Sequence, residues 1–172
     1  MKFSGIVPAV SLLCVFFARA SGAAPDSPCS STEAHQFDFW VGDWDVVDTA
    51  GHHIGRNTIT RILNGCVLEE HWTGDGGLEG KSFNVFVAAH HQWHQTWVDS
   101  RGGMLMLDGA FANGTMTLSG ERRGKDGKTV INRITWTPLS GGDVEQRWDM
   151  STDNGKSWNQ AFLGIYKKRL KQ

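Results

Sequence analysis

Beyond residue 50 of this 172-residue chain no stretch keeps a sustained 3.6-residue period, which excludes a mainly helical domain. The chain also lacks a nucleophile triad, a phosphate-cradling loop and a metal-ligand spacing, so no particular reaction is specified. An excess of one charge is missing as well: 17 basic side chains against 18 acidic ones leave a formal charge of −1. Neither nucleic acid nor an anionic membrane is favoured as a partner by that balance. Long hydrophobic runs are scarce. The mostly apolar stretch from Ile6 to Ala18 covers about 13 residues, short of the ~20 that span a bilayer.

That stretch, preceded by Lys2 and followed by the small-x-small site Ala18-Arg19-Ala20, has the order of a secretory signal. Residues 1–20 are therefore expected to be a signal peptide, with secretion or periplasmic localisation and no membrane insertion after its removal. Loss of Lys2 and Arg19 leaves 15 basic and 18 acidic side chains, a charge of −3. Of the three cysteines, Cys14, Cys29 and Cys66, the first follows Leu13, where a lipid-attachment signal wants a small residue. The other two remain in the mature chain and would meet an oxidising compartment. A disulfide between Cys29 and Cys66 would pin the N-terminal segment to the domain; two separate thiols are the alternative.

Residues 21–34, rich in Pro, Ser, Ala and Asp, read as a linker, and residues 35–172 as one domain. Phe37, Trp40 and Val41 fit one helical turn that Gly42 stops, and a strand with Trp44, Val46 and Asp48 follows. Turn signals then recur at nearly even spacing: Gly51, Asn64-Gly65, Thr73 to Gly80, Arg101-Gly102-Gly103, Asn113-Gly114, Lys125-Asp126-Gly127, Ser140-Gly141-Gly142 and Asp153-Asn154-Gly155. Between them lie strands expected over 44–48, 53–63, 66–72, 81–89, 92–100, 104–111, 115–122, 128–137, 144–150 and 158–167. The fold class is therefore all-β: an antiparallel meander closed into a lipocalin-like barrel of about 8–10 strands, with a short N-terminal helix plugging one end. Two packed sheets are the competing architecture, less suited to connections that are uniformly local.

Period-two alternation then sorts residues into faces. In QWHQTWVDS, residues 92–100, Trp93, Gln95, Trp97 and Asp99 share the side that two tryptophans mark as buried. Glu70 travels inward with Cys66, Leu68 and Trp72, and Gln146 with Val144, Trp148 and Met150. Two strands are ambiguous. Ser82, Asn84 and Phe86 oppose Phe83, Val85 and Val87, and either set suits the interior; likewise Asn132 goes in with Val130, Ile134 and Trp136, or Arg133 goes in with Ile131.

Polar groups buried without partners cost on the order of 1–3 kcal/mol each, so several together require an account. One account is a self-contained network in which Arg133 compensates Glu70. The other is a cavity where Glu70, Asn84, Gln95, Asp99, Arg133 and Gln146 hold the polar end of a small molecule whose apolar body lies on Trp97 and Trp148. Glu70 or Asp99, desolvated beside aromatics, would have a raised pKa and could act as a general acid or base. Isomerisation, cyclisation or elimination would be the expected chemistry.

No metal site is expected. His90 and His94 on one extended strand stand roughly 13 Å apart, so convergence with His71 or His94 would require His90 and His91 to sit in a turn. No cofactor is expected either; haem, which needs a single inward histidine with an open face, is a minor possibility.

FDFWVGDWDV at 37–46, LEEHW at 68–72, WHQTWVDS at 93–100, RITWTPL at 133–139 and the closing Gly164 to Tyr166 resemble a family of exported bacterial proteins of unknown function related to the lipocalin-like, or calycin, barrels. The resemblance spans nearly the whole mature chain and implies that fold without implying an activity. Ser151, Asp153, Gly155 and Trp158 also resemble the Asp-box turn of sialidase propellers. There Asp accepts backbone hydrogen bonds, Gly supplies a positive φ and the aromatic packs beneath; a single copy implies a turn and not a glycosidase.

Overall fold

A computed structural model of the protein describes residues 1–2, 29–124 and 126–169. Ten antiparallel strands run in chain order: β1 Gly42–Val47, β2 His53–Ile62, β3 Val67–Gly74, β4 Glu79–Val87, β5 Gln92–Asp99, β6 Met104–Ala112, β7 Thr115–Arg123, β8 Thr129–Pro138, β9 Val144–Ser151 and β10 Asn159–Lys168. Each pairs with its neighbour in sequence, and β1 also pairs with β10, Val46 opposite Tyr166. The meander is thus a closed barrel, which leaves no sheet edge unpaired.

The segment before β1 enters one end of that barrel. It forms two short 3₁₀ turns, Glu33–His35 and Asp38–Trp40, in place of the single turn expected over Phe37 to Val41. Phe37 and Trp40 are fully buried. Phe37 stacks on Trp40 at 4.9 Å and meets Trp136 and Trp93 edge-on at 5.1 and 5.6 Å. Offset and edge-on pairs of this kind add about 0.5–1.5 kcal/mol each beyond area burial.

Polar contacts fix the plug in place. The Trp44 indole N–H donates to the Trp40 carbonyl at 2.9 Å. Arg61, near the end of β2, donates to the Ala34 carbonyl at 3.0 Å and pairs with Asp38. Cys29 and Cys66 are disulfide-bonded, so the second of the two cysteine readings holds no longer. The last part of the stretch read as a linker is therefore packed, with Ala34 buried. The leader expected over 1–20 lies, apart from its first two residues, outside the described residues.

Strand limits differ from the sequence reading by a few residues. β1 starts two residues early at Gly42 and stops at Val47, because the Asp48 carboxylate caps the turn by accepting from the N–H groups of Ala50 and His52, both at 2.9 Å. The Asn64-Gly65 turn also holds Leu63 at φ +50°, a left-handed leucine that no turn signal announces. The Asp-box turn forms as its residues imply. Ser157 N–H donates to Asp153 at 2.9 Å, Gly155 sits at φ +82°, and the Trp158 indole N–H donates to the Gly155 carbonyl at 3.1 Å.

Candidate functional site

Register decides which polar side chains meet inside the barrel. Glu70 on β3 stands directly opposite Ser82 on β4, and Asn84 on β4 directly opposite Gln95 on β5. Side chains of such pairs leave Cβ atoms ~5 Å apart on one face, within reach of a hydrogen bond. The β4 ambiguity is thereby resolved: Ser82 and Asn84 are buried, and Phe83 points outward at 51% exposure.

The resulting network has a direction. Gln95 Nε2 donates to Asn84 Oδ1 at 2.8 Å, Asn84 Nδ2 to Ser82 Oγ at 2.9 Å, and Ser82 Oγ to Glu70 Oε2 at 2.6 Å. Asn84 spends its second N–H on the Leu68 carbonyl at 3.2 Å. From the other side, Asn57 Nδ2 donates to Glu70 Oε1 at 2.7 Å and to the Tyr166 hydroxyl at 3.3 Å, and Tyr166 donates in turn to Gln146 Oε1. Both oxygens of Glu70 are thus acceptors, and every donor that reaches them is neutral.

Glu70 is 3% exposed. Burial pushes its pKa up from 4.5 to about 7, against the smaller opposing effect of the Ser82 and Asn57 donors. Burial also drives the Tyr166 hydroxyl well above its ordinary value, with the Glu70 charge adding to the rise. Among the described residues Asn57 Oδ1 has no hydrogen-bond partner.

Above this floor lies a cavity of about 140 Å³, on the side of Glu70 away from the plug, lined among others by Glu70, Gln95, Gln146, Trp72, Trp97 and Trp148. Phe162 and Tyr166 from β10 complete the aromatic wall. The indole N–H of Trp148 donates to Asn132 Oδ1 at 3.1 Å, which fixes that ring.

The Trp97 ring has its own seat. A Cβ added at Gly80 would stand 2.1 Å from the Trp97 ring, so only glycine lets the indole lie against β4. Gly55 serves Trp72 in the same way, with 2.7 Å between a Cβ and that ring.

Of the residues expected to meet in the interior, Glu70, Asn84, Gln95, Trp97, Gln146 and Trp148 do. Asp99 does not. At the end of β5 its carboxylate turns to the hairpin, accepting from the N–H groups of Gly103 at 2.8 Å and Arg101 at 2.9 Å. Those bonds, that of Gly103 foremost, hold its pKa below the ordinary carboxylate value, the opposite of the expected rise, and they remove it as a candidate acid or base.

Arg133 also lies elsewhere. Asn132 takes the buried place with Val130, Ile134 and Trp136, and Arg133 stays on the outer face. There it reaches Asp149 at 3.4 Å and covers the Trp158 ring at 3.9 Å. Arg147 pairs with the same carboxylate at 2.9 Å and holds its pKa down. Arg133 therefore compensates Asp149, not Glu70.

Alternation alone did not single out Asn57, Ser82 or Tyr166 as site residues. Asn57 follows Gly55 and precedes Ile59 on the inner face of β2, and that apolar partner is the signal that could have found it.

None of the seven histidines lines the cavity. His90 and His91 are exposed in the turn between β4 and β5, and His94 faces outward to Asp108 at 2.8 Å. The inward histidine that haem would need is therefore missing from the cavity wall. Among the described residues no three His, Cys, Asp or Glu side chains come together as a metal site.

The fold and site define a closed antiparallel barrel with an aromatic-walled cavity over a buried carboxylate. Neither the family models nor the curated proteins compared with the chain match it.

Proposed function

We propose that this chain is an exported barrel that binds a small, partly apolar molecule in its interior, and that it belongs with the exported bacterial, lipocalin-like family its motifs resemble. The observation that carries the binding reading is the cavity: three tryptophans and a phenylalanine around about 140 Å³, with Glu70, Gln95 and Gln146 at its base. A cavity of ~150 Å³ is enough for a benzene-sized guest. An interior needed only for packing would be filled, since protein cores leave few voids larger than a water molecule. The leader-like residues 1–20 and the Cys29–Cys66 disulfide support export.

The test is mass spectrometry of an organic extract of the protein exported by its native host, compared with a Trp97→Ala/Gln146→Ala variant. A stoichiometric small molecule absent from the variant is the expected result. An extract empty in both overturns the storage reading.

One observation favours a catalytic use of the same cavity. A carboxyl with a pKa near 7 is poised to exchange protons at neutral pH, and Glu70 has that property while lining the cavity. Isomerisation, cyclisation or elimination would then depend on it, and Glu70→Gln would abolish turnover while leaving substrate bound.

A further inference from the structure

The network at the cavity floor is complete on one side only. The relay from Gln95 to Asn84 to Ser82 ends on Glu70 through the Ser82 hydroxyl, and Asn57 closes on it from β2. A carboxylate oxygen accepts more than one hydrogen bond, and each Glu70 oxygen has a single donor among the described residues. Gln95 spends its N–H groups on Asn84 and Ser82, so its carbonyl is one more acceptor on a cavity-lining residue.

What the site lacks is a positive charge. From β2 Asn57 and Ile59 face Glu70, from β4 Ser82, from β5 Gln95 and Trp97, from β9 Gln146 and from β10 Tyr166, and none is cationic. Among the described residues no Lys, Arg or His lines the cavity. A buried carboxylate is normally paired. The rings of Trp72, Trp97, Trp148 and Phe162, which line the rest of the wall, attract a cation through their π-faces.

Building on the binding reading above, we propose that the ligand is a monocation: a protonated amine on a small apolar body, with its ammonium on Glu70 and its body among the three tryptophans. The ammonium hydrogens donate to the free acceptor positions of Glu70 and to the Gln95 carbonyl. Binding fixes Glu70 as the anion, so a proton leaves Glu70 when the cation arrives at or below neutral pH.

Benzylamine and benzyl alcohol, matched in size and differing in charge, test this by titration calorimetry on the full mature chain at pH 5 and pH 8. Benzylamine is expected to bind at least tenfold more tightly than the alcohol at pH 8, and its affinity to fall roughly tenfold or more at pH 5, where Glu70 is protonated. In Glu70→Gln the preference for the amine is expected to vanish while the alcohol still binds. Should that variant fail to fold, the two probes and two pH values on the unaltered protein decide the matter alone. Equal affinities for amine and alcohol would overturn the monocation and leave the pocket standing; no binding of either probe would overturn both.

Discussion

Glu70→Gln exchanges one oxygen for an amide nitrogen and removes a titration. In the native chain the Glu70 pKa of about 7 stands above its ordinary 4.5, a difference worth about 3 kcal/mol. The sign follows from which state binds the proton more tightly. Between those values the folded protein holds a proton that the unfolded chain has released, so the stability Glu70 lends is whole below pH 4.5 and is lost as pH rises through 7. Gln has no such dependence. The substitution also turns one donor against Ser82 or Asn57, a penalty of about 1–3 kcal/mol that does not change with pH. Urea unfolding of both proteins at pH 5 and pH 8 separates the two effects. The variant is expected to be the less stable at pH 5 and to gain about 2.5 kcal/mol on the native protein by pH 8, since a little of the effect is already spent at pH 5. Parallel stabilities at the two pH values would refute the uncompensated carboxylate, because every other titrating group is common to both chains.

Gly80→Ala drives a Cβ into the Trp97 ring; it is expected to push the indole into the cavity, weaken benzylamine binding at least tenfold by calorimetry, and destabilise by about 1–3 kcal/mol. Replacing both Cys29 and Cys66 by Ser opens a loop of 37 residues' separation, for which chain entropy gives a loss of about 4 kcal/mol, measurable by urea unfolding. Arg133→Ala should leave benzylamine affinity unchanged and lower stability, because its partners are Asp149 and Trp158 on the outer face; a change in affinity would return it to the cavity.

How far the site could be read from the sequence depended on what shared a face. Glu70 and Gln146 travel with Leu68, Trp72, Val144 and Trp148, and Gln95 with two tryptophans, so period-two alternation placed them. It failed on β4 because Phe83, outward and half exposed, is as apolar as Phe86. Alternation also stops meaning anything where a strand ends. Asp99 is the last residue of β5, and turn N–H groups captured it.

Arg133 resisted for a different reason. The outer face of β8 and β9 builds a small cluster of its own, with Asp149 only 4% exposed between two arginines. Burial there is local and does not mean interior. The directed chain of donors onto Glu70 was out of reach of the sequence altogether, because it depends on register across β2, β3, β4 and β5.

The aromatic plug makes the two ends of the barrel unlike. Phe37 and Trp40, wholly buried against Trp136, fill one end, and Glu70 lines the cavity that lies toward the other. A guest of the kind proposed above, seated in that cavity, would also be a stopper. It would hold Glu70 as the anion until it leaves, and its residence time would set the clock for the return of the proton.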